Sequence, residues 1–201
     1  MTTMKLVCAS ANPKKVEEIA RLLPSWVTLI PRPDYVGDVE ETAPTLEGNA
    51  IIKAVEIANA MAEWAISDDT GLEVEVLNGE PGVRSARFAG EIATDAENRQ
   101  LLLSRLEGVS HRAARFRTVV ALVNSKGEIH FVTGICEGQI AQSERGEGGF
   151  GYDSLFIPND GDGRTFAEMN TEEKDALSHR GRALRQVPDL LTRIFGLHPE
   201  Q

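Results

Sequence analysis

What most constrains this chain is the order in which two hydrophobic periodicities alternate along it. Lys5 to Ala9 is a short apolar run that reads as a buried strand, and Asn12-Pro13 then supplies a helix cap followed by proline at the first helical position. The helix from about Pro13 to Leu23 places Val16, Ile19, Ala20 and Leu23 on one face, and Val27 to Ile30 returns to a strand. After a loop rich in proline and acidic residues, Thr45 caps a long helix whose Leu46, Ala50, Ala54, Ile57, Ala58 and Met61 keep helical spacing. Trp64 to Ser67 reads as a strand entering the sequence DDTG, and Leu72 to Leu77 as another leaving it.

A loop over 78–90 precedes Thr94 and Glu97, a capping-box pair that opens a helix containing Leu101, Leu102 and Leu106. Phe116 to Val123 and Glu128 to Cys136 flank Ser125-Lys126-Gly127, which predicts a long hairpin. The glycine-rich stretch 146–158 runs into a short strand, and a helix from about Ser178 to Phe195 is interrupted near Pro188. Helices interleaved with strands, plus a hairpin, predict an α/β fold with a mixed central β-sheet and flanking helices. With 201 residues, 41% of them hydrophobic, the chain can build one sizeable core or two lobes sharing a sheet. It shows no repeat or linker at which to divide it, so one domain over 1–201 is expected.

A formal charge of -10 argues against nucleic acid as the main partner, because binding its backbone needs a broad basic surface. Cys8 and Cys136 sit inside apolar runs far apart, which suits buried free thiols in a reducing compartment. No apolar stretch approaches the ~18 residues of a membrane span, and MTTMKLVCAS has too short an apolar core for a signal peptide. The expectation is a cytoplasmic protein with no membrane partner.

Four segments carry candidate chemistry, and each has a plain structural alternative. Ser10, Asn12, Lys14 and Lys15 lie where a strand turns into a helix, a place where backbone N–H groups, the helix dipole and lysine charge favour an anion. The pattern is not a Walker A loop, and an ordinary capped helix explains it equally well. Two acidic pairs, Glu40-Glu41 and Asp68-Asp69, offer hard oxygen ligands of the kind Mg²⁺ takes, or are simply solvated turns. The triplet Asp69-Thr70-Gly71 resembles an aspartic protease motif. That motif needs two copies sharing a proton and an apolar residue where Asp68 stands, and the acid phosphatase pattern D-x-D-x-T fails because these aspartates are adjacent.

In the third segment Gly148, Gly149 and Gly151 allow close approach of a ligand, Phe150 and Tyr152 can stack on a base, and Asp153 can accept from ring N–H groups. A hairpin loop with core aromatics is the alternative. The fourth segment brings the donors Lys174, His179 and Arg180 near the last helix, where a charged helix start is the duller reading.

Together, SANPKKVEE, EETAPTLEGNAIIKA, ISDDTGLEV, PGVRSARFAG, GGFGYDSLF and EEKDALSHRGRAL resemble, in order and over nearly the whole chain, the Ham1/RdgB family of inosine triphosphate pyrophosphatases. The resemblance implies two lobes around a nucleotide cleft. It implies hydrolysis of nonstandard purine nucleoside triphosphates such as dITP, ITP and XTP to a monophosphate and pyrophosphate. It places phosphate binding on Ser10, Asn12, Lys14, Lys15, Asn49 and Lys53, and makes Thr70 a further substrate-binding residue. Metal ligation falls on Glu40 and Asp69, with Glu41 and Asp68 adjacent, and Asp69 is the general base. Base recognition falls on Phe150, Gly151, Tyr152 and Asp153, and Lys174, His179 and Arg180 close the pocket. Ser85 and Arg87 match the family's SAR segment. The implied cofactor is Mg²⁺, with Mn²⁺ as a substitute, and the implied assembly is a homodimer.

Two other readings remain open at this level: a Maf-type pyrophosphatase of other modified nucleotides, and a catalytically silent nucleotide-binding protein. Three positions depart from the usual family pattern. Ala11 stands where glycine is common, Gly48 where glutamate is, and Ser154 where proline is.

Overall fold

A computed structural model describes residues 4–196. The chain opens as the periodicities predict, with strand β1 (Met4–Cys8), helix α1 (Pro13–Leu22), strand β2 (Val27–Ile30), helix α2 (Leu46–Met61) and strand β3 (Ala65–Val74). Asn12 caps α1 as expected, its Oδ1 accepting from the backbone N–H of Lys14 at 3.0 Å and of Lys15 at 3.4 Å. Ile19 of that helix is fully buried, whereas Ala20, assigned to the same face, is exposed. Thr45 caps α2 through Gly48 N, and Leu46, Ala50, Ala54, Ile57 and Ala58 are all buried.

β4 (Pro81–Gly82), helix α3 (Asp95–Arg105), strands β5 (Ala113–Val123), β6 (Ile129–Ile140) and β7 (Phe156–Pro158), and helices α4 (Thr171–Leu177), α5 (His179–Leu184) and α6 (Val187–Phe195) complete the order. Thr94 and Glu97 form the expected capping box at α3. The β5–β6 turn centres on Asn124, whose Oδ1 accepts from Lys126 N and Glu128 N, both at 3.0 Å.

The described strands form a mixed sheet in the order β2-β1-β3-β5-β6-β7, with β4 paired to β3. β1 runs parallel to β2, pairing Leu6 with Leu29, and parallel to β3, pairing Val7 with Ala65; β3–β4 and β6–β7 are antiparallel.

Two expectations differ from the structure. The DDTG sequence does not break a strand in two, since β3 runs unbroken from Ala65 to Val74. Gly71 permits this, because a Cβ there would sit 2.7 Å from the carbonyl oxygen of Gly82 on β4. The terminal helix is two short helices, α5 and α6, and a further helix, α4, precedes them from an Asn170–Glu173 capping box.

The chain divides into two compact units. The first comprises the chain up to Asp69, Val119–Thr133, and the chain from Ala183 onward. Its core gathers Leu6, Cys8, Ile19, Ile66, Val120, Leu122, Leu184, Val187 and Leu191. The second comprises Thr70–Thr118 and Gly134–Arg182, and its core joins Leu72, Leu102, Leu106, Phe116, Leu155, Phe156 and Phe166. Phe116 and Phe156 pack with ring centroids 4.7 Å apart, and Phe156 and Phe166 at 5.1 Å. Such rings supply the larger part of a core's burial energy, so truncating the fully buried Phe156 to alanine would cost ~3–5 kcal/mol. No helix among the described residues is long and apolar enough to cross a membrane.

Candidate active site

In the first unit, the end of β1 passes through Ser10 and Asn12 into α1, so the chain turns where the helix presents its positive end. Ser10 Oγ accepts from Asn12 N at 3.2 Å, which fixes the turn. Lys15 reaches Asp68, its Nζ lying 3.3 Å from an oxygen of that fully buried carboxylate. Ala11 is not among the residues with positive φ, so the alanine in this turn carries no left-handed strain.

Lys53 on α2 ties the acidic residues together. Its Nζ donates to Glu41 Oε1 at 2.6 Å and to Asp69 Oδ1 at 3.0 Å, so one ammonium holds two carboxylates close to each other. Burial opposes the charge on Lys53, yet Asp69, Asp68 and Glu41 together hold it above the usual lysine range. Burial likewise pushes the Asp69 carboxyl above the usual aspartate range; Lys53 and Lys15 oppose that rise, and Glu41 adds to it. The Asp69 carboxyl is thereby better suited to accept a proton than an ordinary aspartate.

Glu40 lines a groove with Tyr35, Val36, Gly37 and Glu56, and the acidic residue joined to Asp69 through Lys53 is its neighbour Glu41. Asn49 lies one turn before Lys53 on α2. Its Oδ1 accepts from Ala43 N at 2.9 Å, while its buried Nδ2 has no hydrogen-bond partner among the described residues. Gly48 belongs to the same device: a Cβ there would collide with the Cβ of Ala43 and lie 3.2 Å from Thr45 Oγ1. Glycine thus lets the 43–45 segment lie down on α2, and a glutamate at this position would displace it.

In the second unit, Thr70 Oγ1 lies 2.7 Å from Thr118 Oγ1 and accepts from Arg180 Nη2 at 3.2 Å. Thr118, a lone hydroxyl in the run FRTVVALV, carries no local sequence signal; its partner is 48 residues away in the chain. Phe150 is half-buried, with Lys174 Nζ 4.9 Å and the Arg180 guanidinium carbon 5.6 Å from its ring centroid. Asp153 is buried and anchors the loop, its Oδ2 accepting from Phe150 N at 2.9 Å and from Lys174 Nζ at 2.8 Å.

Tyr152 is also buried, donating to Ser85 O at 2.8 Å. Ser85 in turn accepts from Leu72 N and donates to Gly82 O, and Arg87 pairs with exposed Glu91 at 3.7 Å. His179 stacks on Phe116 with centroids 4.4 Å apart. The structure thus gathers Lys174 and Arg180 around the Phe150 ring, while Tyr152, Asp153 and Ser85 hold the surrounding loops in place. Phe150 N donates to Asp153 and Gly151 N donates to Asp95, so both of these backbone N–H groups are already engaged.

The profile of the Ham1 family matches residues 6–190. The chain belongs to the Ham1 family. It is 47% identical over 202 aligned residues to the dITP/XTP pyrophosphatase of Desulforamulus reducens, covering 98% of this chain and 100% of that one. It is 46% identical to the protein of the same name from Flavobacterium johnsoniae, covering 94% and 98%. A solved structure of a HAM1 protein from Coxiella burnetii superposes with a TM-score of 0.87 at 42% identity, covering 94% of this chain and 99% of that one. The mixed α/β architecture is that of this Ham1 structure.

Proposed function

We propose that this Ham1 chain hydrolyses nonstandard purine nucleoside triphosphates, with dITP, ITP and XTP as the substrate class, to the nucleoside monophosphate and pyrophosphate. The observation that carries this reading is the lysine–carboxylate network of β3, with Asp68 held by Lys15 and Asp69 held by Lys53, which also holds Glu41. Near-full-length relatives named dITP/XTP pyrophosphatase support it.

The turn before α1 and the side chains of Lys14, Lys15 and Lys53 supply positive charge for a polyphosphate, and Asn49 and Thr70 add neutral polar contacts. Asp69, with its carboxyl raised by burial, orients the attacking water and takes its proton. Lysine charge stabilises the negative charge that develops on phosphate oxygens.

The donor set fits Mg²⁺, or Mn²⁺ in its place. No three His, Cys, Asp or Glu side chains converge as a metal cage among the described residues. Mg²⁺ is usually held by one or two carboxylates and completes its shell with water and substrate phosphates. Asp69 and Glu41, which share Lys53, with their sequence neighbours Asp68 and Glu40, would hold the ion, which when bound supplies charge neutralisation at the phosphates.

Selectivity follows from matching the purine 6-position. Hypoxanthine and xanthine present an acceptor there and adenine a donor, so a buried donor leaves ATP with an unmatched pair, worth roughly 10⁴ in discrimination. With the N–H groups of Phe150 and Gly151 engaged inside the protein, His179 and Arg180 are the candidate donors. Phe150 supplies the stacking face. Guanine shares the 6-oxo group and is refused at its 2-amino group.

A cytoplasmic location is supported by the free buried thiols of Cys8 and Cys136. A homodimer is the expected assembly, which sedimentation at micromolar concentration would check. The function is tested by turnover of dITP, XTP, dATP, dGTP, UTP and dTTP with and without Mg²⁺. Efficient turnover of dITP and XTP and poor turnover of the other four is expected; preference for UTP or dTTP, or no turnover at all, refutes the reading.

A further inference from the structure

We propose that the first two turns of α3 clamp the glycine-rich loop 148–154 for purine recognition, with Asp95, Arg99 and Glu144 as positioning residues. This rests on the pyrophosphatase reading above and assigns a role to residues outside the motifs that suggested it.

Both polar groups of one residue in the loop, Gly151, are held from α3. Gly151 N donates to Asp95 Oδ2 at 2.8 Å, and Gly151 O accepts from Arg99 Nη1 at 2.9 Å. Asp95 and Arg99 are one helical turn apart and so share a face of α3. The same guanidinium extends the grip, because Arg99 Nε donates to Glu144 Oε2 at 2.8 Å and that oxygen also accepts from Ser154 Oγ at 2.9 Å. The loop is therefore tied at Gly151 and again at Ser154, on either side of buried Tyr152 and Asp153.

α3 is firm enough to serve as the fixed side. Its start is set by the Thr94–Glu97 capping box, and Leu102 is fully buried in the second unit's core. Buried Asn98 pins the helix to the preceding segment, accepting from Ala89 N at 2.8 Å and donating to Ala86 O at 3.0 Å.

A loop rich in glycine loses much entropy when it is ordered, and ordering it before the ligand arrives removes that cost from binding. The clamp also explains how this chain tolerates Ser154. Proline there would restrict φ covalently; the serine hydroxyl on Glu144 supplies a restraint from the side chain instead.

The test uses the full chain and the variants Arg99→Ala, Arg99→Lys and Ser154→Ala, read by hydrogen exchange and by steady-state kinetics with dITP. For Arg99→Ala, exchange across 148–154 should accelerate about tenfold and KM for dITP should rise about tenfold, as befits loss of a charge-assisted bond. In the same variant kcat should stay within twofold, and exchange in the rest of α3 should be unchanged. Arg99→Lys should fall between, because an ammonium lacks the planar fork that serves Gly151 O and Glu144 together. Adding Ser154→Ala to Arg99→Ala should cost less than it does alone, since both act on Glu144.

Unchanged exchange in 148–154 overturns the clamp, as does a joint fall of kcat with faster exchange throughout α3, which marks a merely structural role. If the wild-type chain does not turn over dITP, the pyrophosphatase reading fails, while the exchange result still decides whether the clamp exists.

Discussion

Replacing Lys53 with methionine tests the network at the centre of the first unit. Methionine keeps roughly the length and volume of the lysine stem and removes only the charge that holds Glu41 and Asp69. The lysine side chain is 13% exposed, and its partners are 24% and 9% exposed, so water can screen little of what is lost. Removing one member of a buried ion pair costs about 3–5 kcal/mol, and the partial exposure of Glu41 places this case near 3 kcal/mol. At ~2–4 °C per kcal/mol for a chain of this length, Tm should fall by roughly 6–12 °C at pH 7.

The sign of the pH dependence follows from the shifts. The Lys53 ammonium is held above its ordinary value of 10.5, so its stabilisation is fully present below that value and is lost as pH rises through the raised one. On the acid side, the penalty in Lys53→Met comes from two carboxylates left facing each other. It shrinks as Asp69, whose carboxyl burial already holds above the usual aspartate range, takes up a proton, so the Tm gap between wild type and variant should narrow as pH falls from 7 to 5. Calorimetry at both pH values reads this directly. A Tm within 2 °C of wild type at pH 7, or an equal gap at both pH values, would mean that the ammonium is not what holds the carboxylates together.

Asp69→Asn should lower kcat at least a thousandfold, with Tm equal to or above wild type, because burial already disfavours the Asp69 charge; near-normal turnover would remove Asp69 from the proton-transfer role. Burial pushes both the Cys8 and Cys136 thiols up to about 11, so iodoacetamide at pH 7.5 should modify neither in the native chain and both in 6 M guanidinium; native-state labelling within minutes would contradict the burial.

Local chemistry in the sequence pointed to much of this architecture because local interactions set it. Asn12, Thr45 and Thr94 are caps whose bonds close within three residues, and each was visible as such. The continuous β3 was not visible, because what permits Gly71 in mid-strand is the approach of Gly82 from a different segment. α4 was hidden for another reason: its Asn170–Glu173 cap precedes a charged run that reads as solvated surface, whereas Lys174 and Asp175 within it are buried.

The residues of the candidate site were legible as types but not as partners. The family resemblance pairs Asp69 with Glu40, and the structure joins Asp69 through Lys53 to Glu41. Asp153 and Tyr152 read as ligand contacts, and what spacing does not reveal is that each also bonds within the protein. Thr118 and Arg99 could not have been found from spacing, since Thr118 lies 48 residues from its partner Thr70 and Arg99 lies 52 residues from Gly151.

The central claim is that water attacks a purine nucleoside triphosphate so that the bond between the α- and β-phosphates breaks. Phosphorus NMR of dITP turned over in water enriched in ¹⁸O tests it in one spectrum. The account predicts dIMP and pyrophosphate as the products, with a single labelled oxygen in one of the two. Release of inorganic phosphate with dIDP, or an unchanged dITP spectrum, would contradict it.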